Sequence, residues 1–144
     1  MISFKVLVLE GGFNEEHQVS LQTGNQVKQS LLNLNIDYES IIVNPNTFEK
    51  EIKKYSSEYL CFNALHGTYG EDGEIQKVLE KNSLKFTHSD SKASEIGFNK
   101  ELTKKKVRNT SILTLPHIAF KAKEINQDIL LNAYSKMGSF LIKP

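Results

Sequence analysis

The sequence carries almost no net charge: 18 Lys and Arg stand against 17 Asp and Glu, leaving +1 at pH 7. That balance gives no reason to invoke nucleic acid or an anionic membrane as a partner. The run from Lys100 to Arg108 is basic, but one so short reads as a solvated helix face. No apolar run approaches the roughly 20 residues that cross a bilayer. Met1-Ile-Ser-Phe-Lys5 leads straight into a strand-like run, so no cleavable leader is expected. Cys61 is the only cysteine. It can form no disulfide within the chain, which suits a reducing cytoplasm. Its apolar surroundings make it a packed small hydrophobe rather than a nucleophile. Repeats and low-complexity tracts are absent too. The remaining composition, 39% hydrophobic and 24% charged, is that of an ordinary globular domain, or of one domain and part of another at this length.

The chain does contain a regular alternation of elements. Phe4-Lys-Val-Leu-Val-Leu9 is nearly continuously apolar, the pattern of a strand covered on both faces. Gly11-Gly12 ends it. Asn14 is the expected cap of a following helix, with Glu15, Glu16 and Gln18 in its first turn and Val27, Leu31 and Leu34 as its buried face. Gly24 disfavours that helix by ~1 kcal/mol relative to alanine, unless a neighbour packs against it. Then come a strand over Tyr38–Val43, a short charged helix from Thr47 to about Tyr55, a strand over Tyr59–Ala64, a helix from Gly73 to about Asn82, and a short strand around Leu84–Thr87. This order predicts an α/β fold, a parallel sheet with helices on both faces and right-handed crossovers. The pattern changes after His88. Helices are expected over Ser89–Phe98, Asn99–Asn109 and Glu124–Tyr134, with strands at His117–Phe120 and Ser139–Pro144. The sequence stops inside that last element, which reads as a truncation. Residues 1–90 are therefore expected to form a complete domain, and residues 91–144 the start of a second.

The stretch Asn63-Ala-Leu-His-Gly-Thr-Tyr-Gly-Glu-Asp-Gly73 joins the third strand to the next helix. Glycine permits positive φ and close approach of a ligand, and open α/β sheets bind ligands at the C-terminal ends of their strands. His66 would stand at that edge, either meeting a ligand or hydrogen-bonded within the loop. Glu71 and Asp72 would brace the loop or cap the helix beginning at Gly73. The first turn reads Gly-Gly-Phe-Asn-Glu-Glu, not G-x-G-x-x-G, and its two carboxylates would repel a pyrophosphate. The same acids suit a cation, such as the amino group of a small zwitterion. On its own, Glu16 is a helix-entry acid worth ~0.5 kcal/mol. Nothing places a base beside a serine nucleophile.

These residues carry a resemblance. Gly11-Gly-Phe-Asn-Glu-Glu-His-Gln-Val-Ser-Leu-Gln-Thr-Gly24 is similar to G-G-x-S-x-E-x-x-V-S-L-x-S-G, and Asn63 to Gly73, with Gln76 and Leu79-Glu80, is similar to A-L-H-G-x-x-G-E-D-G-x-x-Q-x-x-L-E. Phe86-Thr-His-Ser89, Ala93-Ser94, Lys100, Thr103-Lys104 and Phe140-Leu-Ile-Lys-Pro144 continue the match in collinear order. The family is the D-alanine–D-alanine ligases, of the ATP-grasp superfamily. The resemblance implies a Rossmann-like substrate domain followed by the beginning of an ATP-grasp central domain. It also implies an ATP-dependent ligase that joins two D-alanines through an acyl phosphate, with magnesium, for peptidoglycan precursor synthesis. Glu16 then matches the acid that pairs with the first D-alanine's ammonium, and His66 the histidine near its carboxylate. Ser20 supports that substrate site. Lys100 and Lys143 match lysines that neutralise ATP phosphates. Members are commonly dimers, so a homodimer is within expectation. Asn14 stands where the family has serine, and Asn99 where it has aspartate. The lid loop, the substrate-binding arginine and the magnesium-binding acids would lie beyond Pro144, so these 144 residues alone are expected to have no ligase activity. Joining D-alanine to D-lactate or D-serine is the neighbouring alternative. A non-catalytic α/β ligand-binding module is the alternative from another class.

Overall fold

The computed structural model describes residues 4–143. Met1, Ile2 and Ser3, which bear on the leader, and Pro144, the end of the expected last strand, lie outside the described residues. The chain divides into two compact units, Met1–Thr103 and Lys104–Pro144.

The first unit is built on a sheet of four parallel strands, β1 (Lys5–Gly11), β2 (Tyr38–Val43), β3 (Tyr59–Asn63) and β4 (Lys85–Phe86), in the order β2-β1-β3-β4. Parallel neighbours need crossovers. These are α1 (His17–Asn33), α2 (Phe48–Glu51) with a 3-10 turn at Ile52–Lys54, and α3 (Glu74–Lys81). The apolar run in β1 is buried on both sides, as its pattern requires. Leu7 and Leu9 join Ile41, Val43 and Cys61 against Phe48, Ile52, Ile75 and Leu79. Val6, Val8 and Ala64 face Val27 and Leu31 of α1. The Rossmann-like reading of this unit therefore holds, with a short α4 (Ser91–Phe98) packed on α3.

Several local expectations are corrected. Helix α1 begins at His17, so Glu15 and Glu16 precede it and no acid lies in its first turn. Asn14 is not its cap: the helix starts three residues later, and the Asn14 side-chain oxygen accepts the N–H of Glu16, which precedes the helix, rather than one inside it. Leu34 is 67% exposed: the helix has ended, the chain turns through Asn35 at φ +53°, and Ile36 packs on the core instead. Gly24 is buried and has a neighbour against it, Glu10.

Cys61 is fully buried, and burial pushes its thiol up to about 12. A thiolate is the reactive form, so the folded chain should resist alkylation at neutral pH and take up one label per chain only in denaturant. Rapid labelling of the native chain, read by mass spectrometry, would contradict the packing.

Helix α5 (Lys100–Val107) runs across the boundary between the units. The second unit holds a 3-10 turn at Ala122–Glu124 and α6 (Gln127–Met137). Helix α6 starts after the expected Glu124 because Asn126 caps it, accepting the Ile129 N–H at 3.0 Å. The strands expected at His117–Phe120 and from Ser139 do not form among the described residues. A β-prone run becomes a strand only when a partner takes up its backbone N–H and C=O groups, and neither segment is paired in a sheet here. Among the described residues no helix is long and apolar enough to cross a membrane.

Candidate functional site

Strands β1 and β3 are hydrogen-bonded neighbours, with Leu9 opposite Asn63, so the turns that follow them leave the sheet side by side. Ser20 of α1 ties those turns together. Its hydroxyl is fully buried, accepts the Gly11 N–H at 2.8 Å and donates to the Ala64 carbonyl at 2.8 Å. Both buried backbone groups are thereby satisfied.

Asn14 makes a second tie further out. Its amide nitrogen donates to the carbonyls of His66 (2.7 Å) and Thr68 (3.0 Å), while its side-chain oxygen accepts the Glu16 N–H (2.9 Å). One side chain thus holds the backbone of Glu16 and the loop carrying His66 in a fixed relation. The Glu16 carboxylate lies over Gly67, where a Cβ would overlap its Oε2. Gly67 also has φ +68°, in the left-handed region.

The His66 loop is braced from within. Glu71 accepts the Gly67 N–H at 3.0 Å, and Asp72 accepts the N–H groups of Tyr69 (2.9 Å) and Glu74 (3.1 Å). Asn63 and Gln76, both buried, each donate to the Gly70 carbonyl at 2.8 Å. The bracing role expected of the two acids is therefore what they perform. The His66 side chain is 32% exposed, with Nε2 2.9 Å from Thr23 Oγ1 and Nδ1 3.9 Å from Glu71 Oε1.

The structure brings Glu16, Ser20 and His66 to one sheet edge. Glu16 and Glu71 are exposed there beside a partly exposed imidazole, a setting that attracts an ammonium group and offers an N–H to an anion. Lys100 is exposed and shares the wall of an open cavity of about 550 Å³ with Gly70, Glu71, His88 and Phe98. Lys143 is exposed in the second unit. Sequence reasoning missed Thr23 and the clamping role of Asn14. Thr23 had a readable signal: it lies three residues after Ser20, on the same helix face.

No family model matches the chain. It is 39% identical over 127 residues to the D-alanine–D-alanine ligase of Pelagibacter ubique, covering 88% of this chain and 41% of that protein. It is 45% identical over 109 residues to the protein of the same name from Wolbachia sp. subsp. Brugia malayi, covering 76% and 32% respectively. Among solved structures, the D-alanine–D-alanine ligase of Bacillus anthracis complexed with ATP matches with a TM-score of 0.74 at 30% identity, over 90% of this chain and 43% of that one. The chain thus spans about two fifths, or less, of the length of the curated relatives it matches.

Proposed function

The chain belongs to the D-alanine–D-alanine ligase family, matching part of the length of its members, and from that premise we propose that it builds the subsite for the first D-alanine in ATP-dependent synthesis of D-alanyl-D-alanine. The observation that supports this most is the joining of two turns, one bearing Glu16 and the other His66, by Asn14 and Ser20 at a single sheet edge. In this reading Glu16 pairs with the substrate ammonium and His66 donates to its carboxylate. Ser20 serves substrate binding from beneath, as the strut that sets both turns. ATP phosphorylates the carboxylate, and the amine of a second D-alanine then displaces phosphate from the acyl phosphate, a sequence that depends on positioning and charge neutralisation. Lys100 and Lys143 supply positive charge to the phosphates.

Residues 1–90 form the substrate domain in this reading, and residues 91–144 open the ATP-grasp central domain. The enzyme works in the cytoplasm on peptidoglycan precursors, as a homodimer. Magnesium belongs to the family's chemistry, but the described residues hold no group of three or more His, Cys, Asp or Glu side chains that could ligate a metal.

The test is a graft. A ligase of full family length carrying this sequence in place of its own corresponding segment should form ADP in response to D-alanine. Glu16→Gln and His66→Ala should each lower kcat/KM for D-alanine on the order of a hundredfold, the scale of losing one partner of a desolvated charged contact, with the KM for ATP unchanged. Variants as active as the parent would remove both residues from the site.

A further inference from the structure

We propose that Thr23 is a positioning residue for His66: its hydroxyl takes up Nε2, leaving Nδ1–H as the ring atom presented to a ligand. The Thr23 Oγ1 to His66 Nε2 distance of 2.9 Å is a hydrogen bond, whereas the 3.9 Å from Nδ1 to Glu71 Oε1 is beyond one. A threonine inside a helix commonly turns its hydroxyl back to a carbonyl three or four residues earlier. Thr23 lies in the middle of α1, yet its hydrogen bond among the described residues runs across to His66, 43 positions away.

The backbone beneath the ring is held as well, by Asn14 on the His66 carbonyl and by Glu71 on the Gly67 N–H. The imidazole therefore has little freedom except about its own side-chain bonds, and Thr23 restrains those. A hydroxyl donating to Nε2 makes that nitrogen the acceptor and places the neutral ring's proton on Nδ1. The Glu71 carboxylate, on the Nδ1 side, favours a proton in the same place. A hydroxyl pairs with either tautomer, so the carboxylate beside Nδ1 makes the choice and the Thr23 hydroxyl, donating to Nε2, holds it. Only the last step, that Nδ1–H meets the carboxylate of D-alanine, rests on the function proposed above.

Long-range ¹H–¹⁵N NMR of the ¹⁵N-histidine-labelled chain reads the tautomer directly. His66 should carry its proton on Nδ1. Thr23→Val, nearly the same shape without the hydroxyl, should shift proton occupancy towards Nε2, and Thr23→Ser should restore the parent pattern. A proton on Nε2 in the parent chain overturns the proposal, and this arm needs no variant to fold. A tautomer indifferent to Thr23→Val in a folded chain overturns it as well. In the grafted ligase, Thr23→Val should raise the KM for D-alanine roughly fivefold, the scale of one hydrogen bond, with Thr23→Ser near the parent. A tautomer that follows Thr23 while the KM for D-alanine ignores both Thr23 and His66 would support the positioning and reject the substrate role of His66. The converse result, a KM that needs His66 beside a tautomer that ignores Thr23, would reject the positioning alone.

Discussion

Gly24→Ala should lower the stability of the chain by about 2 kcal/mol, although it installs the better helix former. Gly24 is buried in α1, and a Cβ there would overlap Glu10 Oε2 and stand 2.9 Å from Glu10 Cδ and 3.0 Å from its Cβ. Glu10 is 2% exposed. Its Oε1 accepts from Lys28 Nζ at 2.6 Å, and its Oε2 has no hydrogen-bond partner among the described residues. The carboxylate thus occupies a slot that exists because position 24 has no side chain. With alanine present, either Glu10 swings and loosens its pair with Lys28, or α1 lifts from β1. Overpacking of this kind costs about 1–3 kcal/mol, and leaving a buried charge without its partner costs more, about 3–5 kcal/mol at its worst. The helix preference returns only ~1 kcal/mol. Urea unfolding should show a lower midpoint with the slope unchanged. In a Glu10→Ala background the same substitution should become neutral or slightly stabilising, since the collision is gone. An equal loss in both backgrounds would acquit Glu10 and leave the cause elsewhere in α1.

The same pair of residues shows where sequence reading stops. The β1 run announces itself because five successive positions, Val6 to Glu10, are buried, and four of them are apolar. The fifth is an acid, and nothing in one dimension distinguishes a buried Glu10 from a strand-end residue turning to water. Its partner is 18 positions away and becomes a neighbour only when α1 folds back over the sheet. Asn14 is a stronger case, bonding to carbonyls 52 and 54 positions distant. Its oxygen does take a local N–H, that of Glu16, as the local chemistry suggests, but the bonds of its amide nitrogen exist only in the folded chain. Strand β2 was legible to the residue because turn signals bound it on both sides. His117–Phe120 looked equally strand-like, but residue type reports suitability for a sheet and not the presence of a partner strand. At the candidate site, the glycine spacing and the resemblance pointed to Glu16 and His66. The Asn14 clamp between their turns and the Thr23 contact to the imidazole join residues far apart in sequence, and they become visible only in the folded chain.

Gly67→Ala should damage activity much more than stability. At φ +68° an alanine is strained by about 1–2 kcal/mol, which a folded domain with a stability of about 5–15 kcal/mol survives. The new methyl would overlap Glu16 Oε2 and stand 3.2 Å from the Asn14 amide nitrogen. Glu16 is exposed and can swing aside at little energetic cost, so the collision adds little to the strain. Swinging aside, however, removes the acid from the edge it shares with His66. In the grafted ligase, Gly67→Ala should therefore reduce kcat/KM for D-alanine on the order of a hundredfold, matching Glu16→Gln, while the unfolding midpoint falls only modestly. The combined variant should be scarcely worse than either alone, because both changes withdraw the same carboxylate from the same ammonium. Losses that multiply would mean that Gly67 acts through something other than Glu16, with the Asn14 clamp as the next group to test.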